Sequence, residues 1–143
     1  MNSIEWLTVD DIIALHDEQI KETGGGAGIL NRGALESTVN RPKQLAHYQP
    51  ESTICDLAAA YGHGLAKNHC FLDGNKRTAL DAMFVFLDLN GYELTASEPE
   101  AVEIMVSLAQ NFISQEELAA WLTEKTCCTA DLIQSNMTSG TCE

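Results

Sequence analysis

Positive charge is scarce in this sequence, with 8 Lys and Arg residues against 21 Asp and Glu in 143 residues and a formal net charge of −13. Proteins that bind nucleic acid need a Lys/Arg surface to neutralise phosphates, so the composition argues against a direct nucleic-acid partner. Most of the basic residues nevertheless lie between positions 32 and 77, namely Arg32, Arg41, Lys43, Lys67, Lys76 and Arg77. Cations concentrated in one segment of an acidic chain indicate a site for a small anion.

Long apolar runs are also lacking, and none approaches the roughly 18 residues that a membrane-spanning helix needs. The N-terminal region carries Glu5 and Asp10 where a secretory signal would have basic and apolar residues. The five cysteines have no C-x-x-C pair or regular spacing, which argues against a disulfide framework or a zinc site. The sequence therefore predicts a cytoplasmic protein with reduced thiols and no membrane partner.

What the sequence does have is helical periodicity over most of its length, which predicts an all-α fold. Capping-box patterns mark three helix starts, at Thr8, Ser97 and Ser114. A further helix is predicted over 32–41, with Asn31 as its N-cap and Pro42 as its terminator. The stretch that follows, residues 43–50, has no helical period and is expected to be a loop or a short strand.

The two most apolar helices are predicted at the centre of the bundle. The first is expected to begin at an N-cap on Ser52, and the second to end at Asn90 and Gly91. From residue 126 the helical pattern fails, and the polar segment 126–143 is predicted to be a mobile C-terminal tail. The predicted architecture is one domain, residues 1–125, built as a bundle of about six helices.

The segment HCFLDGNKRTAL, residues 69–80, joins these two central helices. Its turn at residues 73–75 opens a helix, whose first backbone N–H groups have no partner within the helix and can bind an anion. Gly74 allows a ligand to approach the backbone closely. Lys76 and Arg77 are cations at the end of the helix where the dipole disfavours them, so a bound phosphate would compensate their charge.

Two further residues of this segment add chemistry to the anion site. Asp73 offers carboxylate oxygens suited to Mg²⁺, which is usually held by one or two carboxylates together with substrate phosphates. His69 is a candidate general base, because imidazole titrates near neutrality. Each residue alone has an ordinary structural explanation: Asp73 as an N-cap, His69 as a hydrogen-bonded loop histidine, Lys76 as a solvated surface residue. The combination is more specific, because one segment offers a base, a metal ligand, a phosphate cradle and two cations.

This segment resembles the signature of the Fic/Doc superfamily, His-x-Phe-x-(Asp/Glu)-(Gly/Ala)-Asn-(Gly/Lys)-Arg, and its Asn-Lys-Arg-Thr-Ala ending resembles the death-on-curing (Doc) branch. Residues 28–42, GILNRGALESTVNRP, resemble a second block of the family, and the opening helix with His16 is also similar. The similarity spans residues 4–124. It implies an ATP-using toxin of a type II toxin–antitoxin system that modifies a translation factor, elongation factor Tu in the known case.

The resemblance also implies a role for each residue of the segment. His69 would take the proton from the target hydroxyl, Asp73 would position Mg²⁺, and Phe71 would be a buried structural aromatic. The implied catalytic residues are His69, Asp73, Lys76 and Arg77, and the implied nucleotide-binding residues are Gly74, Asn75, Lys76 and Arg77. The fold that the resemblance implies has a short non-helical flap beside the active site, at residues 43–49, where the target docks as an added strand.

Two departures from the wider Fic pattern bear on the reaction. Fic adenylyltransferases have Gly at the position of Lys76 and a second Arg at the position of Leu80. Both changes resemble Doc kinases, in which ATP lies reversed and the γ-phosphoryl group passes to a Ser or Thr hydroxyl. Transfer of AMP and a non-catalytic antitoxin-binding module are the alternatives. The inhibitory motif of Fic proteins restrained in cis is missing from the sequence, so a cognate, Phd-like antitoxin is the expected restraint.

Overall fold

The computed structural model describes residues 3–26 and 28–128, and within them the chain forms six α-helices and one two-stranded antiparallel sheet. In chain order the elements are α1 (Val9–Thr23), α2 (Arg32–Tyr48), α3 (Ile54–Lys67), α4 (Asn75–Leu89), β1 (Tyr92–Leu94), α5 (Glu98–Ala109), α6 (Gln115–Lys125) and β2 (Thr126–Cys128). The predicted all-α bundle of about six helices is confirmed. None of the helices in the described ranges is long and apolar enough to cross a membrane.

Helices α3 and α4 form the centre of the bundle, as their apolar sequences predict. Helices α2 and α6 pack against α3, while α1 and α5 pack against α4. Small residues allow the two central helices to approach closely: a Cβ added at Gly62 would collide with the Sδ of Met83. Glycine costs helix propensity at this position, and the close packing of α3 on α4 offsets that cost. The loop between these two helices is therefore anchored at both ends in the core.

Five of the six helices begin with a side-chain N-cap, at Thr8, Asn31, Thr53, Ser97 and Ser114. Four of these caps were predicted from the sequence. The cap of α3 is Thr53 and not the predicted Ser52, because Asp56 stands three residues after Thr53 and completes a capping box with it. The exception is α4, whose N-terminus has no side-chain cap.

The prediction that the second helix ends at Pro42 is wrong, and so is the predicted non-helical flap at residues 43–49. Helix α2 continues through Pro42 for six more residues. Proline removes one backbone hydrogen bond from a helix interior. Here its ring is buried, and Leu45 and Ala46 pack against the core on the continuation of the helix. Apolar burial thus outweighs the missing hydrogen bond.

The sequence predicts a mobile tail from residue 126, but the first three residues of that segment are structured. These form strand β2, which pairs antiparallel with β1 so that Thr126 lies opposite Leu94 and Cys128 opposite Tyr92. Thr126 is buried, and its Oγ1 lies 3.4 Å from the Sγ of Cys55. The rest of the predicted tail, residues 129–143, lies outside the described residues.

The cysteines follow the prediction in part. Cys55, Cys70 and Cys128 are free thiols. Cys127, in β2, is disulfide-bonded, so the prediction of reduced thiols throughout is wrong at this position. The sequence contains no paired cysteine spacing from which such a bond could have been inferred.

Candidate active site

The loop between α3 and α4 contains the predicted site and is held by the segment that precedes α2. Three backbone hydrogen bonds join them: the N–H groups of Leu30 and Asn31 donate to the carbonyl of Cys70 (2.8 and 3.1 Å), and the N–H of Leu72 donates to the carbonyl of Gly28 (3.1 Å). The bonds of Leu30 and Leu72 form an isolated antiparallel bridge between Ile29 and Phe71. The non-helical segment beside the site is therefore residues 28–31, between α1 and α2.

His16 of α1 supports the loop from within the core. Its side chain is buried, and its ring stacks on Phe71 with the centroids 3.8 Å apart and the planes 8° from parallel. Its Nε2 lies 2.7 Å from the carbonyl oxygen of Asp73. Because a carbonyl only accepts, Nε2 is the donor in this bond. No function was predicted for His16, although a histidine on an otherwise apolar helix face was a signal for one.

Asn75 fixes the loop from the other side. Its Nδ2 donates to the carbonyl of Phe71 (2.9 Å), and its Oδ1 accepts from the N–H of Phe71 (3.0 Å). Phe71 is fully buried, in agreement with the structural role that the resemblance implies. Both polar ends of the Asn75 amide are thus used within the loop. The second N–H of Nδ2 and the backbone N–H of Asn75 are not used in these two bonds.

The start of α4 is open to an anion. Gly74, its N-cap, is in the left-handed region at φ +80°, and a Cβ there would also collide with the Oε1 of Gln19. Glycine is required at this position for both reasons. No side chain caps the first turn, so its backbone N–H groups keep their capacity to bind an anion.

Asp73 is not the N-cap of α4, so the ordinary structural explanation for it does not hold. Its carboxylate is exposed, and Oδ1 accepts from the N–H of Gly74 at 2.8 Å. The other oxygen, Oδ2, faces Gly25, where an added Cβ would come within 2.6 Å of it. The described residues contain no cluster of three or more metal-ligating side chains. One carboxylate beside a phosphate site fits Mg²⁺, which completes its coordination with phosphate oxygens and water.

His69 lies in the same cavity as most of the predicted site. The cavity has a volume of about 620 Å³, and its lining includes His69, Asp73, Gly74, Asn75 and Lys76. The lining also includes Lys67 and residues 109–111, at and just after the C-terminal end of α5. The backbone of His69 has φ +49°, uncommon for a residue other than glycine. Its side chain is exposed and forms no hydrogen bond with any described residue.

Arg77 is separated from His69. It lines a neighbouring cavity of about 290 Å³, which shares residues 73–76 with the first and is completed by apolar side chains of α5. Its Nη1 donates to the Oε1 of Glu98 at 3.0 Å, and its Nε lies 3.4 Å from the Oδ1 of Asp81. The hydrogen bond that Arg77 donates to Glu98 is the main cause that raises the pKa of Arg77. Burial raises the pKa of Asp81, and the charge of Arg77 opposes that shift.

Comparison with known proteins agrees with this arrangement. The sequence model of the Fic/DOC family matches residues 6–87. The chain is 33% identical to the protein named Protein kinase doc of Escherichia phage P1 over 113 residues, which cover 79% of this chain and 89% of that protein. It is 34% identical to Toxin Doc of Mycolicibacterium smegmatis over 102 residues, which cover 69% of this chain and 78% of that protein. The chain belongs to the Fic/DOC family.

Membership of the Fic/DOC family confirms the resemblance on which the site residues were assigned. The matched range contains α1, the loop after α3 and most of α4, which are the elements that build the site. It ends before α5, so Glu98 and the apolar residues that close the cavity around Arg77 lie outside the matched range.

Proposed function

We propose that this Fic/DOC chain is a toxin kinase that transfers the γ-phosphate of ATP to a Ser or Thr hydroxyl of a translation factor. The observation that carries the proposal is the shared cavity of about 620 Å³, which brings His69 together with Asp73, Lys76 and the uncapped start of α4. The names of the two relatives, a protein kinase and a toxin, support both parts of the proposal.

In this proposal His69 removes the proton from the target hydroxyl. Its exposed ring has no hydrogen bond to a described residue, so a ring nitrogen is available as acceptor. As the hydroxyl loses its proton to His69, its oxygen attacks the γ-phosphorus and the bond from that phosphorus to the leaving ADP breaks. A positioned general base typically contributes about 10²–10⁴ in rate.

The remaining residues hold the phosphates. Asp73 would hold Mg²⁺, which when bound offsets the negative charge of the phosphate oxygens. The first-turn N–H groups of α4 and the ammonium of Lys76 would bind the phosphoryl group that is transferred. Gly74, which has no Cβ, leaves the backbone accessible. Phosphoryl transfer depends mainly on such positioning and charge neutralisation, which a small site can supply.

The environment of Leu80 favours γ-phosphoryl transfer over transfer of AMP. Leu80 is buried at 2% exposure and lines the cavity around Arg77 together with Val102 and Met105. An adenylyltransferase has a second arginine at this position to bind the α and β phosphates, by the resemblance described above. The apolar side chain of Leu80 cannot supply the positive charge of that arginine. Lys76 supplies a positive charge at the cavity that contains His69.

The target that we propose is elongation factor Tu, by family resemblance, and the proposed site of action is the cytoplasm, where ATP and translation factors are found. The proposed restraint is a cognate Phd-like antitoxin that binds the bundle. The support for a separate restraint is a sequence that lacks the inhibitory motif of Fic proteins restrained in cis.

The test is incubation with elongation factor Tu, Mg²⁺ and ATP labelled separately at the α and γ positions, with His69→Ala protein as the control. We expect the γ label on a Ser or Thr of the factor, and no label with the control. Transfer of the α label would show that the protein is an adenylyltransferase and not a kinase. Transfer of neither label would leave an antitoxin-binding module as the better description.

A further inference from the structure

A half-exposed apolar face of α5 lies beside the phosphate site. Val102 and Val106 are 44% and 39% exposed, and together with Met105 they follow the i, i+3, i+4 spacing of one helix face. Leu80 of α4 completes the apolar lining of the cavity of about 290 Å³. Apolar side chains grouped at a cavity are typical of a small-molecule site.

This apolar cavity continues from the residues that the proposed function assigns to the phosphates. Residues 73–76 line both the apolar cavity and the cavity that contains His69. A nucleoside triphosphate whose γ-phosphate lies at His69 carries its nucleoside at the other end of the phosphate chain. Because the two cavities meet at residues 73–76, a phosphate chain bound there leads the nucleoside into the apolar cavity.

The side chains available to the base in this cavity offer almost no hydrogen bonds. Among the residues that the structure describes, those lining the cavity outside residues 73–77 are Leu80, Val102, Met105 and Val106. The thioether of Met105 is only a weak acceptor, and this side chain is 2% exposed. The backbone groups of all four residues lie within α4 and α5, where helical hydrogen bonds use them.

We infer that this cavity binds the base of the nucleotide by apolar contact alone, so that the chain accepts purine nucleoside triphosphates without distinguishing adenine from guanine. The inference rests on the proposed function, because the γ-phosphate must lie at His69 for the base to reach α5. The two purines differ in their amino and carbonyl groups. A site that hydrogen-bonds such groups can reject the wrong ligand by about 10⁴–10⁵, whereas apolar contacts discriminate weakly.

The size of the cavity agrees with this occupant. Its volume of about 290 Å³ is close to the lower end of the range for small-molecule pockets, about 300–1,000 Å³. A base fits such a volume, while the phosphates lie along residues 73–76 in the cavity of about 620 Å³. The amino and carbonyl groups of the base remain hydrated, since Val102 and Val106 are half-exposed.

The first test measures the affinity of the full chain for Mg²⁺·ATP, Mg²⁺·GTP and Mg²⁺·tripolyphosphate by isothermal titration calorimetry. The dissociation constants for ATP and GTP should agree within about tenfold, which corresponds to about 1.4 kcal/mol. Tripolyphosphate should bind more weakly than either nucleotide, because it has no base to bury apolar surface. A larger difference between ATP and GTP, or tripolyphosphate that binds as tightly as ATP, overturns the inference.

The second test locates the base with the double variant Val102→Ala, Val106→Ala, which shortens both half-exposed side chains. It should weaken ATP and GTP by a similar factor, about three- to tenfold, and leave the affinity for tripolyphosphate unchanged. The matched control is Leu89→Ala, which removes an apolar side chain of 49% exposure at the end of α4, outside the cavity. Thermal melting verifies that each variant is folded. Nucleotide affinities that the double variant changes no more than the control does, or an equal loss for tripolyphosphate, overturn the inference.

The inference and the proposed function fail in different ways. If the wild type transfers the γ label from ATP but binds GTP more than about tenfold more weakly, the inference alone is wrong. The inference alone is also wrong if the wild type transfers the γ label and the double variant binds ATP as the control does. If the wild type transfers no label and binds none of the three ligands, the proposed function fails and the inference with it.

Discussion

At the scale of single residues, the site divides into side chains that are free to react and side chains that hold the loop. His69 and Lys76 are exposed at the cavity, and neither is bonded to a described side chain. His16 and Asn75 instead use their polar atoms on the loop backbone, at Asp73 and Phe71. Substitutions in the first group should change the reaction with little effect on folding, and substitutions in the second group should change both.

His69→Ala should abolish γ-phosphoryl transfer and growth arrest while the melting temperature stays close to that of the wild type. The loss of a general base lowers the rate by about 10²–10⁴, and an exposed imidazole adds little to the core. His47→Ala is the matched control, since His47 is exposed near the end of α2 and does not line the site cavity. Undiminished growth arrest by soluble His69→Ala protein would remove His69 from the mechanism.

Lys76→Gly should lower γ-phosphoryl transfer and permit a small amount of AMP transfer, because it removes both a charge and the bulk that we propose excludes the adenylylation pose. The amount stays small because Leu80 supplies no second cation. Lys76→Met keeps the bulk and removes the charge, so it should lower γ transfer without permitting AMP transfer. The measurement is transfer from γ-labelled and α-labelled ATP in parallel. A wild type that transfers the α label, with the same ratio in Lys76→Gly, would contradict the kinase assignment.

At the scale of secondary-structure elements, α1 and α4 hold the loop of the proposed site between them. The bond from His16 to the carbonyl of Asp73 joins residues 57 positions apart, and the stack on Phe71 lies beside it. The amide of Asn75 ties the first residue of α4 back to Phe71. The position of Asp73 thus depends on α1 as much as on its own loop.

His16→Phe should separate the two contacts of this histidine. The phenyl ring can retain the stack on Phe71, but the carbonyl of Asp73 loses its donor, which costs about 1–3 kcal/mol when the acceptor is buried. We expect a lower free energy of unfolding in urea and a slower γ-phosphoryl transfer, since Asp73 is no longer fixed. Wild-type stability together with a wild-type rate would show that the hydrogen bond has no part in positioning Asp73.

Local signals predicted the helix starts and the site segment, whereas contacts between distant residues were not predictable. Thr8, Ser97 and Ser114 were identified because each has an acidic residue three positions later that completes a capping box, and Asn31 because Asn is a typical N-cap before a helical stretch. The continuation of α2 through Pro42 depends on burial against other helices, which no local pattern records. The pairing of Arg77 with Glu98 was missed for the same reason, because the two residues are 21 positions apart.

At the scale of the whole molecule, both ends of the described chain are attached to the central helix α3. Near the N-terminus, the phenol of Tyr61 accepts from the N–H of Leu7 at 3.0 Å and donates to its carbonyl at 3.4 Å. Near the C-terminus, Thr126 of β2 lies against Cys55. The central helix therefore links segments that are far apart in sequence, and each attachment predicts a separate effect on global stability.

The attachment at Tyr61 should make stability depend on alkaline pH. Burial raises the pKa of Tyr61 to about 12, whereas an unfolded tyrosine ionises near 10. A raised folded-state pKa means that this stability is fully present below about pH 10 and is lost as the pH rises toward 12. Urea midpoints should therefore fall between pH 10 and 12 in the wild type, and fall less in Tyr61→Phe. Tyr48→Phe is the control: the phenol of Tyr48 is exposed, so this variant should behave like the wild type. Equal pH dependence in all three proteins would show that Tyr61 is not the group responsible.

The attachment through β2 bears on where the folded domain ends. The sequence predicts a boundary after residue 125, yet the three residues that follow pair with β1 and bury Thr126. We expect a chain that ends at Lys125 to melt several degrees below one that ends at Cys128, because a loss of about 1 kcal/mol shifts the melting temperature by roughly 2–8 °C in domains of this size range. Both chains are compared in reducing buffer, so that Cys127 of the longer chain forms no disulfide. Equal melting temperatures would mean that β2 adds nothing to stability and that the boundary predicted from the sequence is the correct one.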